Sequence, residues 1–161
     1  MRGTDRWLLW VAEGFGTGRL KPGPGTWGTF VGLAWHALLV WLLPPWAWAV
    51  MVLATTFLAV PVCARAEKIL GKEDPGSVVL DEIVAVPWCF AGAVLFNVLP
   101  MVQVPWVMWV AVFIGFRFFD IVKPPPIRQL QAFPNGWGVV VDDVAAAIAT
   151  AAVISGLALL G

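Results

Sequence analysis

Charge in this chain is confined to three windows, and that confinement limits the fold more than any other feature. All ten lysines and arginines and all ten aspartates and glutamates fall within residues 1–25, 65–82 and 117–143. The stretches between them are uncharged and apolar. A membrane-crossing helix needs about 20 apolar residues in a row. Five segments approach that length: residues 26–43, 46–64, 83–99, 105–122 and 139–161. Five crossings would put every charged window on one side. The other side would keep only residues 43–45, 100–104 and the C-terminus. The positive-inside rule assigns the charged side to the cytoplasm. A compact bundle that dips into one leaflet is the alternative, and it keeps the same charged face.

Composition agrees. The chain is 60% hydrophobic and 12% charged, with a mean hydropathy of +0.85. Soluble domains are nearer a quarter charged. There are 11 tryptophans and no tyrosine, and tryptophan favours the membrane–water boundary. At 161 residues with zero net charge, the chain reads as one domain, residues 1–161, without a nucleic-acid partner. Cys63 and Cys89 stand alone in apolar runs and read as small buried hydrophobes. The apolar run after Arg6 is too short to span and has no cleavage site after it, so no signal peptide is expected.

Taken in order, residues 7–12 read as a short interfacial helix. Glycines and prolines in GFGTGRLKPGPGTWGT (residues 14–29) forbid regular structure until Thr26. Pro61 should kink or end the second segment. The polar connection 65–82 starts as an extension of that helix and then turns at Asp74-Pro75-Gly76. Pro87 interrupts the third segment, and the link 100–104 is uncharged. Alanines and Gly156 in the last segment suit close helix contacts at the centre of a bundle. His36, far from the charged face, reads as a packed or interhelical hydrogen-bonding side chain.

The charged residues form a chemical pattern. Arg117, Asp120 and Lys123 are three apart and share one helix face. Asp142-Asp143 opens the last segment and Asp81-Glu82 opens the third. A carboxylate at a helix start can be a cap, but two adjacent acids exceed what one cap needs. Five converging carboxylates would repel unless a divalent cation joined them. Oxygen-only donors favour Mg²⁺ or Mn²⁺ over zinc. Carboxylates for a metal beside arginine and lysine for an oxyanion suit phosphoryl chemistry. Backbone N–H groups of residues 14–28 could add donors to a phosphate.

Three blocks carry a family resemblance: GFGTGRLKPGPGTWGT (14–29), GSVVLDEIVA (76–85) and FRFFDIVKPPPIR…NGWGVVVDDVAAA (116–147). Their order and spacing resemble the phosphatidylglycerophosphatase A family over nearly the whole chain. The departures are Leu80, Ala85, Gln131 and the alanines at 146–147, where the family pattern has other residues. The resemblance implies an all-α bundle; with the five apolar segments and the charged windows, the expectation is a membrane-embedded bundle of about five helices with its site at the cytoplasmic face of a bacterial inner membrane. The resemblance also implies Mg²⁺-dependent hydrolysis of a phospholipid substrate, phosphatidylglycerophosphate, to phosphatidylglycerol and phosphate. By position it assigns Asp81, Glu82, Asp120, Asp142 and Asp143 to the acidic catalytic set. Asp81, Glu82, Asp142 and Asp143 would hold the metal, and Arg117, Lys123 and Arg128 the phosphate. The competing classes are another membrane phosphotransfer enzyme, acting on a phospholipid or polyprenyl phosphate, and a transport or assembly subunit. The DGxxAR-type run of phosphatidyltransferases is absent, and a transport subunit would spread its charges through the membrane depth.

Overall fold

A computed structural model describes residues 3–95 and 105–160, and all regular structure among them is helical. The uncharged link 100–104 and the end of the third apolar segment lie outside the described residues. Helix α1 (Gly3–Ala12) buries Leu9 and Ala12 against α3 and exposes Trp7 and Trp10. A 3-10 turn, Gly14–Arg19, follows, so residues 14–25 are more regular than their glycine content suggests. Left-handed Gly14 and Gly16 let it fold tightly. Its buried Glu13 neighbour accepts from the exposed Arg19 at 2.7 Å.

Helix α2 (Pro24–Leu42) starts two residues before Thr26, because proline is tolerated in a first helical turn. Pro44 then begins the turn into α3 (Pro45–Leu70). Pro61 does not end that helix, which continues for nine residues beyond it. The polar connection therefore does begin as helix, up to the left-handed C-cap Gly71. The Asp74–Gly76 turn is closed by the Val78 N–H donating to the Pro75 carbonyl at 2.8 Å.

The third apolar segment is three short pieces: α4 (Leu80–Ala85), a 3-10 turn (Val86–Phe90) and α5 (Ala91–Leu95). Pro87 sits at the start of the 3-10 turn, where its missing N–H matters least. Helix α6 (Trp106–Val122) ends at left-handed Lys123, before three prolines. Then come α7 (Ile127–Leu130) and α8 (Trp137–Leu160).

Helix α8 is central and packs against α3, α4, α6, α7 and the 3-10 turn at Val86. Its buried Ala146 and Ala147 face a core that includes Trp48, Phe90, Val112 and Phe116. Close approach to α6 is made at Gly115, where a Cβ would stand 2.8 Å from Thr150 Cγ2; Gly156 faces open space. Buried His36 stacks on Phe90 with 3.9 Å between centroids. Both cysteines are free and buried.

The expectation of about five spans is not met. Among the described residues, two helices are long and apolar enough to cross a membrane, α3 and residues 137–157 of α8. The physical reasons are local. Helix α2 spends its first turns on Pro, Gly and Thr and carries His36; the third segment breaks at Pro87; α6 has 17 residues and carries Arg117 and Asp120 in its last turns.

Candidate active site

A pocket of about 300 Å³ opens where α2, α4, α6 and α8 meet. Its charged lining is Asp81, Glu82, Arg117, Asp120, Lys123, Asp142 and Asp143, with Asp74 as a further carboxylate. Charged residues from both windows of the middle and end of the chain, 65–82 and 117–143, thus meet in one place. Two of the cations expected there are present. Arg128 is exposed on α7 and does not line the pocket. Gln131 is also exposed and outside it.

Each side chain is placed by its element. The i, i+3 spacing on α6 brings Arg117 Nη1 to 2.6 Å from Asp120 Oδ2, and the same nitrogen lies 2.8 Å from Glu82 Oε1 on α4. Left-handed Lys123 turns its ammonium back into the pocket. It donates to Asp142 Oδ2 and lies 3.7 Å from Asp120 and 4.0 Å from Asp143. Two basic side chains therefore tie three helices together through carboxylates.

Asp81 and Glu82 sit in the first turn of α4, as their place in the sequence suggests. Asp142 and Asp143 do not start a helix: α8 begins at Trp137, so both lie beyond its first turn. They cannot cap the free N–H groups there. Asp142 Oδ1 instead accepts the Asp143 N–H at 3.0 Å, as Asp81 Oδ1 accepts the Glu82 N–H at 3.0 Å. Both acidic pairs share this geometry, in which the first side chain folds over the backbone of the second.

Two contributions were not foreseen from the sequence. Asp74 reads there as a turn former, yet the turn carries it to the pocket wall, with its N–H held by Glu67 Oε1 at 2.9 Å. The second is a glycine stripe on α2. A Cβ on Gly25 would collide with Glu82 Oε1 and stand 2.6 Å from Arg117 Nη1, and one on Gly28 would collide with Glu82 Oε2. Gly25, Gly28 and Gly32 share one helix face, which is the pattern that could have revealed them. Of the glycine-rich segment, Gly23, Pro24 and Gly25 line the pocket; Gly14, Gly16 and Gly18 do not. Gly18 packs on the Ser77 carbonyl instead, bracing the loop that carries Asp74.

Burial shapes the electrostatics. Asp81 is pushed well above the usual carboxylate range by desolvation, with Glu82 and Asp74 adding to it. Desolvation raises Glu82 to about 7 against the opposing pull of Arg117. For Lys123, burial alone would lower the ammonium, but Asp143, Asp142 and Asp120 outweigh it and raise it.

The donor set suits a hard divalent cation, since it is all carboxylate oxygen. Glu82 Oε2 is buried with no hydrogen-bond partner and so keeps its lone pairs free. Among the described residues, no three carboxyl, histidine or cysteine groups stand in a ligating arrangement. Arg117 and Lys123 hold Glu82, Asp120 and Asp142 instead. Six carboxyls against two cations leave an acidic excess in an enclosed space, and such an excess attracts positive charge.

A family model described as phosphatidylglycerophosphatase A matches residues 10–158. A phosphatidylglycerophosphatase A of Haemophilus influenzae is 36% identical over 139 residues, covering 86% of this chain and 80% of that protein. A phosphatidylglycerophosphatase A of Escherichia coli K12 is 31% identical over 154 residues, covering 94% and 83%. A Bacteroides thetaiotaomicron protein, provisionally named a phosphatidylinositol-3-phosphatase, is 36% identical over 147 residues, covering 86% and 85%. No solved structure matches the chain.

Proposed function

The chain belongs to the phosphatidylglycerophosphatase A family and is a phosphoric monoester hydrolase; on that premise we propose that it is a Mg²⁺-dependent phosphatase of phosphatidylglycerophosphate, working at the cytoplasmic leaflet of a bacterial membrane. The observation that carries this reading is the pocket itself. Apart from Asp74, its carboxyls and its two cations come from α4, from α6 with its C-cap Lys123, and from α8, which is apolar enough to cross a membrane. Its volume of about 300 Å³ suits a phosphate head group rather than a whole lipid.

Roles follow from the chemistry. Arg117 offers a guanidinium fork to an oxyanion, and Gly25, having no side chain, lets Arg117 and Glu82 pack against the first turn of α2 at the pocket wall. Lys123, at the C-terminal end of α6, adds a second positive charge to the pocket lining. Together they orient the phosphoryl group and oppose the charge it carries in the transition state. Asp81, Glu82, Asp142 and Asp143 would hold Mg²⁺, which when bound supplies charge neutralisation and a more acidic water. Asp120 keeps Arg117 and Lys123 in place by facing both. The apolar α3 and α8 would anchor the chain so that the pocket meets lipid head groups at the surface.

The test is phosphate release by purified protein in detergent, across a metal series. Release from phosphatidylglycerophosphate should require Mg²⁺, stop with a chelator and return on readdition. Phosphatidylinositol 3-phosphate is assayed beside it, because one relative carries that name. No release from phosphatidylglycerophosphate by demonstrably folded protein overturns the reading.

A further inference from the structure

Outside the active pocket, one helix face pairs apolar and basic residues in a single line. On α3, Phe57, Pro61, Arg65 and Lys68 follow at i, i+4, i+8 and i+11, so they form one stripe. They line a groove of about 510 Å³ closed on its other side by Asn135 and Trp137. Phe57 and Trp137 meet edge to face at 5.9 Å. The loop before Trp137 presses on α3, since a Cβ on Gly136 would stand 2.7 Å from the Ala64 backbone nitrogen. The groove therefore has a fixed wall and an apolar floor, and its basic end lies in the polar part of the chain.

Dimensions and charge favour one class of occupant. From Phe57 to Lys68 the helix rises about 16 Å, near half the thickness of a bilayer's hydrocarbon core. The apolar end thus lies at acyl-chain depth when the basic end is at the surface. Arg65 contacts Asp5 at 3.4 Å, yet its side chain remains 55% exposed, and Lys68 is exposed too. The basic end continues past Lys68, Glu67 and Glu73 into a trough along residues 131–136, which reaches Asp74 and Val139 at the active pocket.

We propose that this groove is a second, non-catalytic lipid site that takes an anionic phospholipid, its head-group phosphate between Arg65 and Lys68 and an acyl chain along Phe57, Pro61 and Trp137. The site rests on the membrane placement in the proposed function but not on the phosphatase chemistry.

The experiment uses the full-length protein in mixed micelles with a phosphatidylserine carrying an acyl-chain diazirine. This lipid is a phosphodiester and so not a substrate for a monoesterase. A matching phosphatidylcholine probe is run in parallel, and adducts are mapped by peptide mass spectrometry. Phosphatidylserine should label residues 57–68 and 134–137, and phosphatidylcholine should not. Each basic residue near the surface contributes roughly fivefold to anionic-lipid affinity, so Arg65→Gln with Lys68→Gln should weaken labelling by about 25-fold. The charge-keeping pair Arg65→Lys and Lys68→Arg should retain it. Both double variants should keep basal phosphate release, which shows that they fold. Equal labelling by both probes, or full labelling of the Gln variant, overturns the proposal. Failure of wild-type hydrolysis instead removes the phosphatase reading and leaves the groove standing.

Discussion

At the level of single residues, Glu82 links three elements of the site, α2, α4 and α6. Its Oε1 accepts from Arg117 and lies against Gly25, and its Oε2 lies against Gly28. Gly28→Ala should therefore push Glu82 out of place. The expected result is a loss of about 1–3 kcal/mol of stability from overpacking, with a fall in kcat/KM, checked by thermal unfolding and phosphate release. Asp142→Asn or Asp143→Asn should lower kcat by at least about 10²–10³ while the protein still folds, the scale for losing one transition-state-stabilising group. Near-normal turnover in both would remove their assigned role. Arg117→Ala should cost a comparable factor. Arg128→Ala should leave kcat/KM within about threefold, because substitutions away from such features are nearly silent and Arg128 is exposed outside the pocket. The chain itself showed which acids and bases were out of place in an apolar context. It did not show that Arg128 points away, because sequence spacing on a helix carries no information about a separate short helix after three prolines.

At the level of elements, the pocket depends on how closely α8 can approach its neighbours. Gly115 on α6 meets Thr150 on α8, so Gly115→Val should destabilise by about 1–3 kcal/mol. Gly156→Ala should leave stability unchanged or raise it by up to about 1 kcal/mol, since nothing lies within 4 Å of that site and alanine favours a helix interior. Chemical or thermal unfolding of both variants in the same detergent checks the contrast. The small-residue rule points to the alanines of the last segment and to Gly156 together; Ala146 and Ala147 are fully buried, while Gly156 faces open space. That rule selects residue types, and only the opposing helix decides which glycine is approached. The start of α8 was similarly hidden. Apolar periodicity begins near Val139, but the turn at Gly136 lets the helix begin at Trp137 and moves both aspartates inward.

For the whole molecule, the testable quantity is sidedness. Lys72→Cys and Gln131→Cys should react with a membrane-impermeant thiol reagent from the same side, and Pro44→Cys from the opposite side. Cys63 and Cys89 are buried and should add little background. Labelling of positions 72 and 131 from opposite sides would refute the topology. Long uncharged apolar segments between three charged windows already pointed to a helical chain with its charges clustered, because burying scattered charge in an apolar setting costs too much. Family blocks in the sequence already named five of the six acids and three cations, of which two, Arg117 and Lys123, line the pocket. How many segments are long enough to span, which cation turns away, and which turn adds Asp74 were decided by tertiary structure. Each depends on helix ends and on the packing of distant segments, and chain order alone does not encode those distances. The pocket at α2, α4, α6 and α8 exists because glycines on α2 leave space that Glu82 and Arg117 fill, a fit that only the folded chain brings about.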